Sequence, residues 1–452
     1  MRTMTLLLAA LAAGAHAIPH PAKQIQTSSF GTSKASVASA AVSMETLMRE
    51  KLEHHSAREE EGAFALDRYD AAEATTCSDG KAGEYKCKNV DMMGFLRHQD
   101  MGSSTRAGND IWGQTDGTAF VEVLGNGSLV YVGRLPTQTV PDKWRDIKVI
   151  GDFAYIGSEA PNHGIQIFDL KKLLTVDISN PTTFSLKSLT GHFAGFGSSH
   201  NIVANEQTNM IYAVGTDPAL DCRGGLWMID VSDPAHPRDA GCVSSGGYVH
   251  DAQCVIYKGP GRKSYGHEIC FNYNEDRLVI VDVTDRARPL QISSKRCKGV
   301  SYTHQGWLAT DDMTYLLLDD EMDEWQMNGY AEDGRTTTYI VDVQDLEHPV
   351  FRSGYKSSQV AIDHNQYVVN GVAYQANYGA GLRIVDVSSL KEDFRGRRLS
   401  EIGYFDCRPE DDESGGETSF DGAWSVYPFF KSGYLLLNSI ERGVYSLKLN
   451  RP

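Results

Sequence analysis

At 452 residues the chain could hold two or three ordinary domains, or one large toroidal β fold. Its composition is globular, 41% hydrophobic and 23% charged, and its 43 glycines and 21 tyrosines suit a turn-rich β protein. A formal charge of −16 argues against nucleic-acid or anionic-membrane partners, which need a basic face.

Residues 1–17 read as a secretion signal: Arg2 starts it, TLLLAALAA is its short apolar run, and Ala15-His16-Ala17 is a small-x-small cleavage site. The apolar run is too short to span a bilayer, no later one is long enough, and neither a lipid-anchor tail nor a retention signal is present. A secreted, extracellular product is expected. Residues 18–76 form an N-terminal extension. Up to residue 40 it is rich in Ser, Ala, Thr and Gln and is expected to be disordered. From Val42 to about Glu61 it is helical, with Met44, Leu47, Met48 and Leu52 at helical spacing. His54 and His55 near its end are read as part of a charged, solvated helix.

Residues 77–108 form a disulfide loop and a connecting segment. Eight cysteines in an oxidising compartment suggest four bridges. Cys77–Cys87, Cys222–Cys242 and Cys254–Cys270 are the local pairings, which leaves Cys297 and Cys407 as distant partners. Asn126-Gly127-Ser128 is a glycan acceptor triplet.

From residue 109 the chain repeats. RLVIVDVTDRARP from Arg277 is matched by GIQIFDL, GLWMIDVSDPAHP, TTYIVDVQDLEHP and GLRIVDVSSL, with weaker copies GTAFVEV and GVYSLKL. The aspartate column runs Glu122, Asp169, Asp230, Asp282, Asp342, Asp386 and Lys448, at spacings of 44 to 62 residues. A second column lies upstream: NDIWG, RDIKV, HNIVA, HDAQC, HQGWL, HNQYV and GAWSV. An apolar strand separates the columns and a further strand follows the aspartate. Seven four-stranded units over 109–452 predict an all-β, seven-bladed β-propeller rather than an open solenoid. The first unit lacks the strand between its columns. The last unit ends after its third strand, and Asn89–Leu96 is the segment expected to supply the missing edge. The aspartates are assigned to turn architecture, each accepting backbone N–H bonds just after its strand.

These stretches, with CKNVDMMGFL, GNDIWG, WRDIKV, YVHDAQCVIY, SYTHQGWL, AIDHNQYV, QANYGAGLRIVDV and FDGAWSVYPFF, resemble the LVIVD-repeat proteins known as the choice-of-anchor B family. The resemblance runs from about Cys77 to Val444. It implies a secreted or surface-attached propeller, and brings no settled activity onto particular residues. Members often carry a C-terminal sorting segment; the chain stops at Pro452 without one, which points to free secretion.

The upstream column holds the candidate chemistry. His200, His250, His304 and His364 are equivalent, and Asp110, Asp146 and Asp251 stand in the position that follows. Inner strands line a propeller's channel, so these residues are candidate ligands for a divalent metal ion there. Strand alternation lets only one of the two columns face the channel. The preferred reading is structural, with imidazoles and amides satisfying backbone groups at crowded strand starts. Glu159, Asp217, Asp319, Asp320, Glu321 and Asp323, and the acidic insertion from Pro409 to Asp421, are carboxylates suited to calcium but lacking an EF-hand's order, and are read as solvated charge. Among Trp112, Trp227, Trp307, Trp325 and Trp424, which could form a carbohydrate surface, Trp307 and Trp424 are assigned to the core.

The function expected is that of a monomeric extracellular binding module with a protein or glycan partner, without catalysis. The alternatives are a metal-dependent hydrolytic enzyme with its site in the channel and a passive structural protein.

Overall fold

The computed structural model describes residues 42–110, 115–296 and 299–450, together with the backbone of Leu6–Ala9. Seven sheets stand around an axis. Blade 3 shows the pattern: Asn201–Asn205, Met210–Val214, Leu226–Asp230 and Arg238–Val243 pair antiparallel in chain order. Blades 4 and 5 repeat it, with inner strands Asp251–Ile256 and Thr303–Leu308. The sixth blade (inner strand Asn365–Val369) is extended outward by Tyr85–Lys88 and Lys81–Ala82.

The ring closes on its last blade. Val90–Arg97 pairs antiparallel with Gly443–Leu449, from Arg97 opposite Gly443 to Val90 opposite Leu449, and so covers an edge that would otherwise be bare. In blade 1, Gly117–Val123 and Leu129–Pro136 are joined by two strands from elsewhere in the chain. Thr182–Thr183 runs parallel to the outer one. Leu6–Ala9 pairs antiparallel with Gly117–Val123, in the slot that a unit's own second strand fills in the other blades. The rest of the presumed secretion signal and residues 18–41 lie outside the described residues, as do Trp112 and Cys297.

Sheets pack face to face, so the third strand of each blade is covered on both sides. Ile211, Ala213, Trp227 and Ile229 of blade 3 meet Tyr155, Ile165 and Ile167 of blade 2, while Met210, Tyr212 and Met228 on the opposite face meet Cys270, Val279 and Val281 of blade 4. Each such side chain contributes about 1.5–3 kcal/mol on burial, which explains the unbroken apolar runs before each aspartate. The glycine heading those runs is a packing requirement: a Cβ on Gly225 would lie 2.1 Å from the Val243 carbonyl, and one on Gly381 2.3 Å from that of Phe405.

The aspartate column makes turns. Asp169, Asp230, Asp282, Asp342 and Asp386 each accept the backbone N–H two residues on, at 2.9–3.0 Å. Cys77–Cys87, Cys222–Cys242 and Cys254–Cys270 are bridged, and Cys407 is buried without a bridge among the described residues. Asn126 is exposed on a hairpin turn, its Oδ1 accepting from the Ser128 amide and hydroxyl. No described helix is long and apolar enough to cross a membrane.

Candidate metal centre in the channel

Inner strands start at one mouth of the channel, and there the two upstream columns separate by alternation. The second residue of each pair stitches blades together. Asp146 accepts the Ile202 amide at 2.7 Å, Asn201 donates to the His250 carbonyl at 3.1 Å, Gln305 to that of Gln366 at 3.1 Å and Asn365 to that of Trp424 at 2.9 Å. Asp110 accepts the Ile147 amide at 3.4 Å, and Asp251 its neighbour Ala252 at 2.7 Å. Lys148 neutralises Asp146 and lies 3.6 Å from Asp110. These three aspartates therefore serve the ring and Lys148, and do not join the imidazoles.

The histidines face one another instead. Rings of His200, His250, His304 and His364 follow in an arc, with centroids 4.3, 4.1 and 4.4 Å apart. Every Nδ1 is tied outward. His250 donates to the His304 carbonyl at 2.9 Å and His364 to the Trp424 carbonyl at 2.7 Å. His304 Nδ1 meets Asp319 at 3.0 Å, a carboxylate that already accepts from the Gln305 amide and Gln366 Nε2. His200 Nδ1 meets Glu159 at 2.5 Å. A neutral imidazole that donates through Nδ1 leaves its Nε2 lone pair free, and tethers of this kind orient metal-ligating histidines.

Those Nε2 atoms converge. The Nε2 atoms of His200 and His250 share a hydrogen bond at 2.8 Å, in which His200 donates because His250 already donates through Nδ1, and Glu321 lies 3.6 Å from His304 Nε2 and 3.5 Å from His364 Nε2. One ligand atom each from His250, His304 and Glu321 falls within 4.8 Å of the others, all buried. Glu321 Oε2 has no hydrogen-bond partner, while Oε1 takes the Tyr378 hydroxyl at 2.5 Å and the Lys51 ammonium. Burial, with the Lys51 charge, holds His200 down at about 3. Burial followed by neighbouring imidazoles pushes His250 and His304 well below the usual range, and for His364 Lys51 adds most to burial. Neutral imidazole nitrogens gathered beside a buried carboxylate oxygen without a partner suit a cation with nitrogen and oxygen ligands, which would replace the proton shared by His200 and His250.

The histidine mouth is covered by the helix Met44–Glu60. Its first amide donates to Glu275 of blade 4 at 2.7 Å, and near its end His54 and Arg58 bind Asp421 beside blade 7 at 2.9 and 3.1 Å. Seventeen residues at 1.5 Å each reach about 25 Å. Met44 and Leu47 pack on Tyr302, Met322, Ile362 and Tyr378. Lys51 projects inward between the rings of Trp424, Phe420 and Tyr378, 5.2–5.9 Å from their centroids, to reach Glu321. The helix is thus docked rather than solvated: His54 is ion-paired and His55 stacks on Phe64 at 4.5 Å.

The opposite mouth is a cavity of about 330 Å³ lined by Trp307, Tyr367, Tyr427 and Phe429 with Lys148, Asp251 and Gln305. Trp307 and Trp424, assigned to the core, are half-buried at the two mouths. Trp227 is core and Trp325 exposed.

The solvated reading of the acidic loops holds for Asp217 and for Glu410, Glu413 and Glu417 of the insertion, which are exposed, and fails for the others. Asp319, Asp320, Glu321, Asp323 and Glu324 are at most 1% exposed, and the insertion wraps Arg408, which binds Asp411 at 2.9 Å and Asp421 at 3.0 Å. A signal for Glu159, Asp319 and Glu321 existed: each lies at the end of a second strand, and antiparallel pairing returns that end to the start of the inner strand, as Asp320 opposite Thr303 shows.

A family model described as LVIVD repeat matches residues 143–189 and 221–244. No curated protein matches the sequence. Solved structures similar to the chain include a protein from Lactobacillus plantarum, 11% identical with a TM-score of 0.48 over 74% of this chain and 87% of that one. The WD40 domain of Toxoplasma gondii coronin is 12% identical with a TM-score of 0.46, covering 75% and 77%. The Cps50 (Swd1) β-propeller domain of Myceliophteria thermophila is 11% identical with a TM-score of 0.41, covering 73% and 93%. The chain is a seven-bladed β-propeller that carries LVIVD repeats at residues 143–189 and 221–244.

Proposed function

We propose that this is a secreted propeller whose channel holds one divalent transition-metal ion between His250, His304 and Glu321, flanked by His200 and His364, and that it acts on a ligand entering by the aromatic mouth. The observation that carries this reading is the outward tethering of all four Nδ1 atoms, which gathers the Nε2 atoms beside an unpartnered carboxylate oxygen. The three disulfides fit an oxidising compartment.

Bound there with an open position, such an ion supplies Lewis-acid, hydrolytic chemistry. The chain's own residues do the rest. Glu159 and Asp319 fix two of the rings, the docked helix keeps water from the histidine mouth, and Trp307, Tyr427 and Phe429 offer flat apolar faces to an arriving group. Those exposed faces also favour the second reading, an extracellular binding module for a protein or glycan whose partner docks on that mouth.

Elemental analysis of native secreted protein, followed by a panel of hydrolysable esters, phosphates and glycosides, tests the proposal. One zinc, copper, manganese or iron per chain with metal-dependent turnover supports it. A folded, metal-free protein that ignores all four ions removes it. A partner recovered by pull-down whose binding survives His250→Ala plus His304→Ala places the function at the mouth alone.

A further inference from the structure

The upstream column has a further position that the channel centre does not use. Three residues past its first member, in blades 2 to 6, come Lys148, Val203, Gln253, Trp307 and Tyr367, and all five line the cavity at the mouth opposite the histidines. Asp251, two residues before Gln253, shares its strand face and lines that cavity too. Blade 7 adds Tyr427, the last residue of its inner strand Ala423–Tyr427, and Phe429 just beyond. The rings are not stacked. Trp307 and Tyr367 meet at 4.8 Å and 77°, Tyr367 and Phe429 at 5.1 Å and 74°, and Tyr427 and Phe429 at 5.3 Å and 65°. Planes at such angles present faces in several directions, and Phe429 is 41% exposed. Glu206, just past the inner strand of blade 3, completes the lining; after burial, its charge raises the Tyr427 hydroxyl, which sets the carboxylate near that ring.

The polar groups of this cavity are unequally available. Gln305 spends both ends of its amide on the Gln366 backbone, donating to the carbonyl at 3.1 Å and accepting from the N–H at 3.1 Å. Gln253 accepts the Leu308 amide at 2.8 Å, and Lys148 is paired with Asp146 and lies 3.6 Å from Asp110. The donors are thus largely committed within the protein. Glu206 is exposed, and Asp251 gives one oxygen to the Ala252 amide. The wall is therefore weighted toward carboxylate acceptors and electron-rich ring faces. Both attract positive charge: a ring face draws a cation within about 6 Å of its centroid, and a carboxylate in a cleft acts through a lowered dielectric. A sugar needs donors as well as acceptors for its hydroxyls, and an anion would be repelled by Glu206 and Asp251.

We propose that the aromatic mouth binds a small alkylated ammonium ion, its alkyl groups against Trp307, Tyr427 and Phe429 and its charge balanced by Glu206 and Asp251. This deepens, and rests on, the reading of that mouth as the ligand's way in, and it requires no metal in the channel. A cavity of about 330 Å³ lies at the small end of ligand pockets, which suits a compact ion.

The test uses the full-length protein, in chelator and again with added zinc. Calorimetry measures binding of tetramethylammonium, of choline, and of choline's neutral isostere with tert-butyl in place of trimethylammonium. Expected are one cation per chain in both conditions and an isostere at least about tenfold weaker than choline. Phe429→Ala, at an exposed position, should weaken choline about 2- to 30-fold, and Glu206→Gln should weaken it and flatten its salt dependence. An isostere that binds as tightly as choline overturns the proposal, because the cavity is then merely apolar. A methyl glycoside that binds where both cations fail overturns the ammonium and leaves the mouth as the way in. Phosphatidylcholine vesicles or a trimethyl-lysine peptide binding more than about tenfold tighter than choline would overturn the small free ion as occupant. If no probe binds and Phe429→Ala leaves hydrolysis and partner recovery unchanged, the proposal falls together with the reading of the mouth.

Discussion

The histidine arc and the acid cluster beside it are buried to the same degree, and burial treats them in opposite senses. It pushes the imidazoles down and the carboxyls of Asp323, Glu324 and Asp363 up, so each group is driven toward its neutral form. The outcomes differ because a neutral imidazole keeps its ligand lone pair, whereas a protonated carboxyl becomes a weaker ligand. The arc is therefore a site held ready near neutral pH, and the acid cluster is one that burial drives toward protonation.

Four measurements would break or sharpen this contrast, taken from the largest effect to the smallest. His250→Ala with His304→Ala should lower channel metal affinity by more than about 1,000-fold, since losing a tethering group alone costs 10–100-fold.

A buried histidine outside the channel supplies the control for burial. His98 is 1% exposed, bonded through Nε2 to the Ser439 carbonyl at 2.8 Å, and held by burial at about 4 instead of 6.5. Its folded value is depressed, so its stability contribution is present above about 6.5 and lost as pH falls toward 4, up to about 3 kcal/mol. Chemical denaturation of metal-free protein between pH 7 and about 4 should show that limb together with the channel histidines' share, and His98→Asn should make it less steep.

Replacing the tether alone, by Glu159→Gln or Asp319→Asn, should weaken channel metal binding about 10–100-fold and leave the unfolding free energy of the metal-free protein within about 1 kcal/mol of the parent. Competition with a colorimetric chelator measures this. Lys51→Met should act in the opposite direction, tightening metal binding roughly tenfold, because an arriving ion no longer displaces an ammonium from Glu321. Weaker binding in Lys51→Met would mean the ammonium supports the site rather than competing for it.

The blade pattern was legible in the sequence because one physical rule repeats: a strand covered on both faces must be apolar, and the turn after it needs an acceptor. The Asp230 and Asp282 turns follow directly from that rule. Ring closure by Val90–Arg97 was legible from an unpaired last strand. The site was half visible. Repetition exposed the four histidines, but Asp110, Asp146 and Asp251 carry the same repetition, and the first two stitch blades while Asp251 accepts from its own neighbour Ala252. Glu321 escaped because DDEMDE looks like solvated charge when its burial is unknown, and burial arises from the helix Met44–Glu60, which crosses from a remote part of the chain. No local pattern marks Lys51 as the residue that enters the channel.

The order of parts along the N-terminal segment has its own consequence. The helix over the histidine mouth precedes the hairpin of Cys77–Cys87 and the strand that locks the ring, and Leu66 is exposed on the stretch that joins them. A single proteolytic nick there would cut the lid from the strand that closes the ring, which stays paired with the last blade. Exposure of the channel would then be a one-way event, set by a protease and not by the propeller's own breathing.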